Sequence, residues 1–346
     1  MTATGDPDAP DVGLSGETLP IAAAAPATPA GPAPLRRAHS VRRTTSLEVR
    51  WPDGRTGLPH FTGHARDIAT GAAGSTPLIL REQRIGIRIV DRMLGELTTE
   101  PPFPALQALV GLRIGRDLRA RLDDILARQD MADAPVRILI DDLVGLSVIA
   151  PFGWAAWDPQ PAPAPLAPRD APPASGVCIG HRPLARPSDA RAIGRPATRR
   201  AVSVVNPADP DGWHALSHDH APNVRRARRI DAWLEDDVIH VDSTFQDSAR
   251  NRARGRTTIH EYKLMATIGA QDLRLLSVEA IPCILPFPEC PAATANLFAL
   301  LGTPLSGLRA DVLTILRRTA GCTHLNDAVR ALADIPLGDL VQAQGR

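Results

Sequence analysis

The sequence predicts an α+β protein made of two tandem, related ββββααα units, each an antiparallel sheet followed by helices, with the N-terminal unit degenerate. Three observations predict it. In the C-terminal half, four β-rich runs joined by short polar turns precede three helical patterns. LRARLDDIL (Leu118 to Leu126) matches LRADVLTIL (Leu308 to Leu316) at five of nine positions. Upstream of each, PFPALQALVG ends at Gly111 and NLFALLG ends at Gly302, and each half opens on paired arginines and an apolar run. Shared order over several features is the mark of a duplication.

The elements follow in order. Residues 1–35 are rich in alanine and proline, and their charges are all acidic: Asp6, Asp8, Asp11 and Glu17. Such a segment buries too little apolar surface to offset its ordering entropy and is expected to be disordered. Residues 36–157 form the first unit, with Arg42 and Arg43 ahead of the strand SLEVRW. Residues 158–175 alternate proline and alanine, a spacer of polyproline type. Residues 176–346 form the second unit. Its strands are expected over Ile230–Leu234, Val238–Phe245, Thr257–Ile268 and Leu273–Ile281. Pro282, Pro286, Pro288 and Pro291 end strand structure. Helices are expected over Pro291–Leu301, stopped by Gly302, then Leu308–Arg318 and about Leu325–Ala333, with Thr323 as N-cap.

Composition narrows the function. The 346 residues carry 39 basic and 38 acidic groups, so no net field draws the chain to nucleic acid or an anionic membrane. Aromatic residues make up 3%, too few to interleave with arginine on a nucleic-acid platform. Four cysteines in a chain this long do not build a disulfide framework. No secretory signal or membrane span is evident, and a cytoplasmic protein with reduced thiols is expected. The sequence has no P-loop, no GxGxxG after a strand, no GxSxG and no HExxH, which leaves the corresponding chemistries without support.

Three groups of residues could carry chemistry. In GCTHLNDAVRAL, Cys322 and His324 stand at a predicted helix start, and Cys290 precedes Pro291 at another. Helix N-termini favour thiolate, and sulfur with imidazole suits zinc or iron. Asp242, Asp247, His260 or water could supply a further ligand, with Asp242 or Asp247 the nearest on the first strand pair. The candidate metal set is therefore Cys290, Cys322, His324 and Asp242. Cys283 reads as a core residue, and Cys178 beside His181 as a weaker candidate. A second group, His260 and Tyr262 two apart on one strand face with Asp247 nearby, could do acid–base work, as in a lyase or hydrolase. A third, Arg250, Arg252, Arg254 and Arg256 in the loop between two strands, could grip an acidic ligand. His214, His218 and His220 read as part of a polar connecting loop.

RRARRIDAWLEDDVIHVDSTFQDS, HEYKLMA and the terminal GCTHLNDAV resemble the bacterial domain-of-unknown-function family 2889 over roughly Arg225 to Ile335. That resemblance implies no activity. A more remote resemblance, to the SufE/NifU group, rests on chain order: Cys290, an apolar helix, Gly302, a second helix, Cys322 and a closing amphipathic helix. It implies a small antiparallel sheet ahead of helices, with Cys290 and Cys322 where scaffold cysteines hold sulfur or metal. The third scaffold cysteine has no counterpart between Ile230 and Phe245, and the first half has no cysteine at all.

Overall fold

Strand β1 (Ser40–Arg50) lies beside β6 (Asn223–Glu235), and this one pairing joins both halves of the chain into a single sheet. The computed structural model describes residues 24–129, 131, 134–157, 176–181, 199–218 and 220–344. In the first half β1 continues into β2 (His60–Thr70), β3 (Leu78–Val90) and β4 (Met93–Glu100), each antiparallel to the last. After β5 (Arg199–Arg200), a short edge piece on β8, the second half forms another meander. It runs β6, β7 (Val238–Asn251), β8 (Gly255–Gly269), β9 (Leu275–Ile284). The sheet order is β4-β3-β2-β1-β6-β7-β8, with β5 and β9 both on β8.

Each meander is followed by a 3-10 segment, Pro104–Leu109 or Cys290–Leu300, and then by helices. These are α1 (Arg116–Arg128), α2 (Val136–Ile149) and α3 (Phe152–Trp157) in the first half. The second half supplies α4 (Leu305–Ile315), α5 (Thr323–Arg330) and α6 (Leu337–Gln344). Helices and sheet enclose two apolar cores that each draw on both halves. One centres on Phe245, Tyr262, Leu264, Leu308 and Leu325 but includes Val41 and Ile138. The other centres on Phe61, Leu118, Leu122 and Leu143 but includes Val224 and Ile259. The architecture is mixed α+β with a large antiparallel sheet, as the strand runs predicted. None of the helices among the described residues is long and apolar enough to cross a membrane.

Several sequence expectations change. The run Arg225 to Arg229 does not precede a strand but lies inside β6, and Arg226, Arg228 and Arg229 are fully buried there. Carboxylates make this tolerable, since a buried ion needs close partners. Arg226 donates to Asp247 at 2.9 and 3.0 Å, to Asp142 at 3.2 Å and to Asp327 at 2.8 Å. Arg228 reaches Asp142 at 2.7 Å, and Arg229 pairs with Asp231 and Asp242. In β1, Arg43 clasps Asp67 at 2.7 and 2.6 Å. The expected Pro291–Leu301 helix is the 3-10 segment Cys290–Leu300, and the N-cap of α5 is Cys322 rather than Thr323.

Of the N-terminal segment expected to be disordered, residues 1–23 lie outside the described residues, as does the spacer 158–175. Residues 24–34, by contrast, are docked. Leu285 N–H donates to the Pro26 carbonyl at 3.2 Å, Ala30 N–H to Glu261 at 2.8 Å and Ala33 N–H to Val204 at 2.9 Å. Backbone hydrogen bonding here replaces the bulk that the side chains lack.

The sheet face away from the helices is covered by this segment and by residues 199–218, where Ala33, Val204 and Trp213 pack on Ala227. His214 is buried there, with its two ring nitrogens 2.8 Å from Thr44 and Ser46 and its ring 4.3 Å from that of His64. Burial, then His64, Arg66, Arg225 and Arg84, hold the imidazole well below its ordinary pKa. The unfolded chain therefore takes up a proton below about pH 6.5 that the native site refuses. Stability is expected to fall as pH drops from 7 to 5, less steeply in His214→Gln. Equal slopes in urea titrations of the two proteins would contradict this.

Candidate metal centre

Asp247 of β7 and His260 of β8 are direct cross-strand partners on the face that meets the helices. The next pair is Ser248 with Thr258, which leaves Ile259 as an extra residue. Such a bulge turns the neighbouring side chains. The third member arrives from a helix. His324 lies in the first turn of α5, and its ring stacks on that of His260 with centroids 3.4 Å apart and planes 14° from parallel. His324 Nε2 is 3.6 Å from Asp247 Oδ2, and His260 Nδ1 is 3.9 Å from the same oxygen. The ligand atoms of all three lie within 4.8 Å of one another.

The approach of α5 depends on Gly321. A Cβ there would fall on the Leu316 carbonyl oxygen and the Asn326 amide, so a larger residue would push the helix start away from the sheet. Residues 176–181 close the other side. Ile179 N–H donates to the Gly321 carbonyl at 2.9 Å, and a Cβ on Gly180 would stand 2.8 Å from Cys290 Sγ.

Electrostatics fix the protonation of the group. Burial, then His324, then Arg226 and His181 hold His260 well below its ordinary pKa, against Asp247. Burial, Arg226 and His181 do the same for His324. Both rings are neutral at pH 7, the state in which imidazole binds a metal. Asp247 is held in place by the two-point contact with Arg226. Arg226 takes one lone pair of each carboxylate oxygen and leaves others free. His260 Nδ1 is a buried polar atom with no hydrogen-bond partner.

The sequence placed His260 and Asp247 in one candidate set and His324 in another, and the fold brings the three together. Tyr262 lies next inward on β8, fully buried, with its hydroxyl facing the Cys322 thiol. Burial, then Cys322 and Cys290, push its pKa well up. Cys322 and Cys290 do begin a helix and a 3-10 segment, but their thiols are pushed up, not down. For Cys322 burial outweighs the backbone N–H groups of Leu325 and His324. For Cys290 burial acts first and Cys322 adds to it. Cys178, also pushed up by burial to about 11, has its sulfur 3.4 Å from His181 Nδ1. These three thiols border the Asp–His–His group without entering it. Asp242 stands apart: it occupies the opposite face of β7, paired with Arg229. Arg252 and Arg254 are exposed in the β7–β8 turn, while Arg250 and Arg256 reach a cavity on that opposite face.

Comparison with known proteins covers part of this arrangement. Residues 224–337 match the DUF2889 family model. That family is described as a protein of unknown function. The matched segment runs from the second residue of β6 to the first of α6, and it contains Arg226, Asp247, His260, Cys290, Cys322 and His324. The DUF2889 resemblance seen in the sequence covers nearly the same residues. No curated protein and no solved structure matches the chain, so the SufE/NifU-like expectation gains no support.

Proposed function

We propose that the protein binds one divalent transition metal ion, zinc or iron, through Asp247 Oδ2, His260 Nδ1 and His324 Nε2. The observation that carries the reading is the convergence of one ligand atom from each residue within 4.8 Å, two of them on neutral imidazoles, with His260 Nδ1 buried and without a partner among the described residues. Two histidines and one carboxylate are a set used by iron and by zinc, with further positions left for water or substrate. Ligands of one tetrahedral zinc stand about 3.4 Å apart, from bond lengths of about 2.0–2.1 Å. The separations of 3.6 and 3.9 Å are a few tenths of an ångström wider. Closing on an ion needs the stacked rings to tilt open slightly. Arg226 serves as the partner that orients the carboxylate.

Cobalt(II) titration of the metal-free protein tests this. One equivalent is expected to bind with visible d–d bands. Binding should be lost in Asp247→Asn and His324→Gln, and kept in Cys290→Ser and Cys322→Ser. A thiolate charge-transfer band that vanishes in the cysteine variants would move the ligands to the sulfurs. Failure of the unaltered protein to bind would leave Asp247 and His260 as an acid–base pair instead.

We also infer that the two halves arose by duplication. The SVRR of β1 and the NVRR of β6 occupy equivalent places, and the register of these strands is symmetric about the Thr45–Arg228 pair. Arg43 faces Asp67 and Asp67 faces Arg81 in the first half; Arg226 faces Asp247 and Asp247 faces His260 in the second. A register shift follows Asp67 as one follows Asp247. The first half thus carries Arg81 where the second carries a histidine. An experimental structure whose halves do not superpose by a half-turn about the Thr45–Arg228 pair would contradict the duplication.

A further inference from the structure

The helix-free face of the sheet carries a cavity of about 750 Å³ between β6, β7, β8, residues 201–218 and His220. Its lining includes Arg66, Arg225, Arg250 and Arg256, with Asp211 the one carboxylate residue among the described lining. Arg225 pairs with Glu48. Arg250 meets the ring of His220 at 2.8 Å. Among the described residues Arg256 donates to neutral oxygens, Asn223 Oδ1 at 2.5 Å and Ser248 at 3.2 and 3.3 Å. Burial and Arg225 push its guanidinium down to about 9, with Arg250 and Arg50 adding to the effect and Glu48 opposing it.

The unmet hydrogen-bonding needs in this lining point the same way. Arg66 Nε and the Trp213 indole N–H are buried donors with no acceptor among the described residues. A buried donor left unpaired is costly, so a ligand that brings acceptors gains by filling the need. Val202, Val204 and Leu216 add an apolar wall beside the arginines.

We propose that this cavity binds a small organic anion with two or more negative charges, carried on phosphate or carboxylate groups, with an apolar body against the valines. Arginine forks fit both kinds of oxyanion. The site is separate from the Asp247 centre, which lies on the other face of the same strands, and it does not rest on the metal reading. Only Arg250 and Arg256 of the four arginines expected from sequence belong to it.

The test titrates metal-free, full-length protein with inorganic pyrophosphate and, separately, with citrate, followed by calorimetry at low salt. Saturable one-site binding of at least one probe is expected, weakened about tenfold or more in Arg256→Gln. Arg250 is half-buried and its replacement spares the core, so Arg250→Gln, weakened likewise, guards against misfolding of the first variant. Cobalt binding should be unchanged in Arg250→Gln. Tighter pyrophosphate marks a phosphate ligand, tighter citrate a carboxylate. No saturable binding of either probe, or affinity in both variants equal to that of the unaltered protein, overturns the proposal.

Discussion

Arg226→Ala is expected to destabilise the protein by about 3–5 kcal/mol, the range for removing one partner of a buried ion cluster. Arg226 is fully buried and is shared by Asp247, Asp142 and Asp327. Its removal takes one arginine partner from each of three buried carboxylates. Asp327 retains Arg330 at 3.5 Å and Arg119 at 3.4 Å, and Asp142 retains Arg228. Asp247 retains only the neutral rings of His260 and His324. Asp142 is already pushed upward by burial, which Arg228 and Arg226 do not fully offset, so it is poised to protonate when Arg226 is lost. The neighbouring Asp141 behaves in the opposite way. Burial raises it, but Arg330, Arg309 and Arg119 outweigh that and hold it well below the usual carboxylate range. The deficit should shrink when Asp142→Asn is added to Arg226→Ala, because one of the under-paired buried carboxylates is then gone. Urea unfolding of both variants checks this; a single-variant loss under about 1 kcal/mol would mean that the network contributes little.

Phe245→Ala should cost a similar amount, about 3–5 kcal/mol, from lost burial plus the cavity left behind. Phe245 is fully buried on β7. The guanidinium carbons of Arg226 and Arg228 stand 4.7 and 5.0 Å from its ring centre, and the ring of His324 lies 6.4 Å away. The ring is therefore the apolar floor on which the buried arginines rest, and a cation over an aromatic face adds to its burial. Phe245→Leu keeps most of the volume and should cost less than about half as much. Equal losses for the two substitutions would show that the cavity is not the cause.

What the sequence reveals and what it hides follow from these residues. The second meander and its helices were legible because strands with one buried face alternate and turns between them are polar. The internal match of Leu118 to Leu126 with Leu308 to Leu316 falls on α1 and α4, each behind a 3-10 segment. Asp247, His260 and His324 were each legible as chemical groups, but not as one group. Their meeting depends on the register of β7 against β8, on the extra residue Ile259, and on Gly321 admitting α5. None of these leaves a periodic signal. The arginines of β6 misled for a related reason. A charged run reads as solvated, and only the sheet shows that Asp247 and the carboxylates of α2 and α5 reach it. The cysteines show the limit of a helix-end argument: a favourable terminus does not overcome complete burial of the thiol.

The most direct test of the central claim is the metal content of untagged protein after exposure to zinc and removal of excess ion, measured beside Asp247→Asn and Cys322→Ser. One zinc per chain in the unaltered protein and in Cys322→Ser, with almost none in Asp247→Asn, is the predicted result. No retained metal in the unaltered protein, or equal retention in Asp247→Asn, would contradict a centre built on Asp247, His260 and His324.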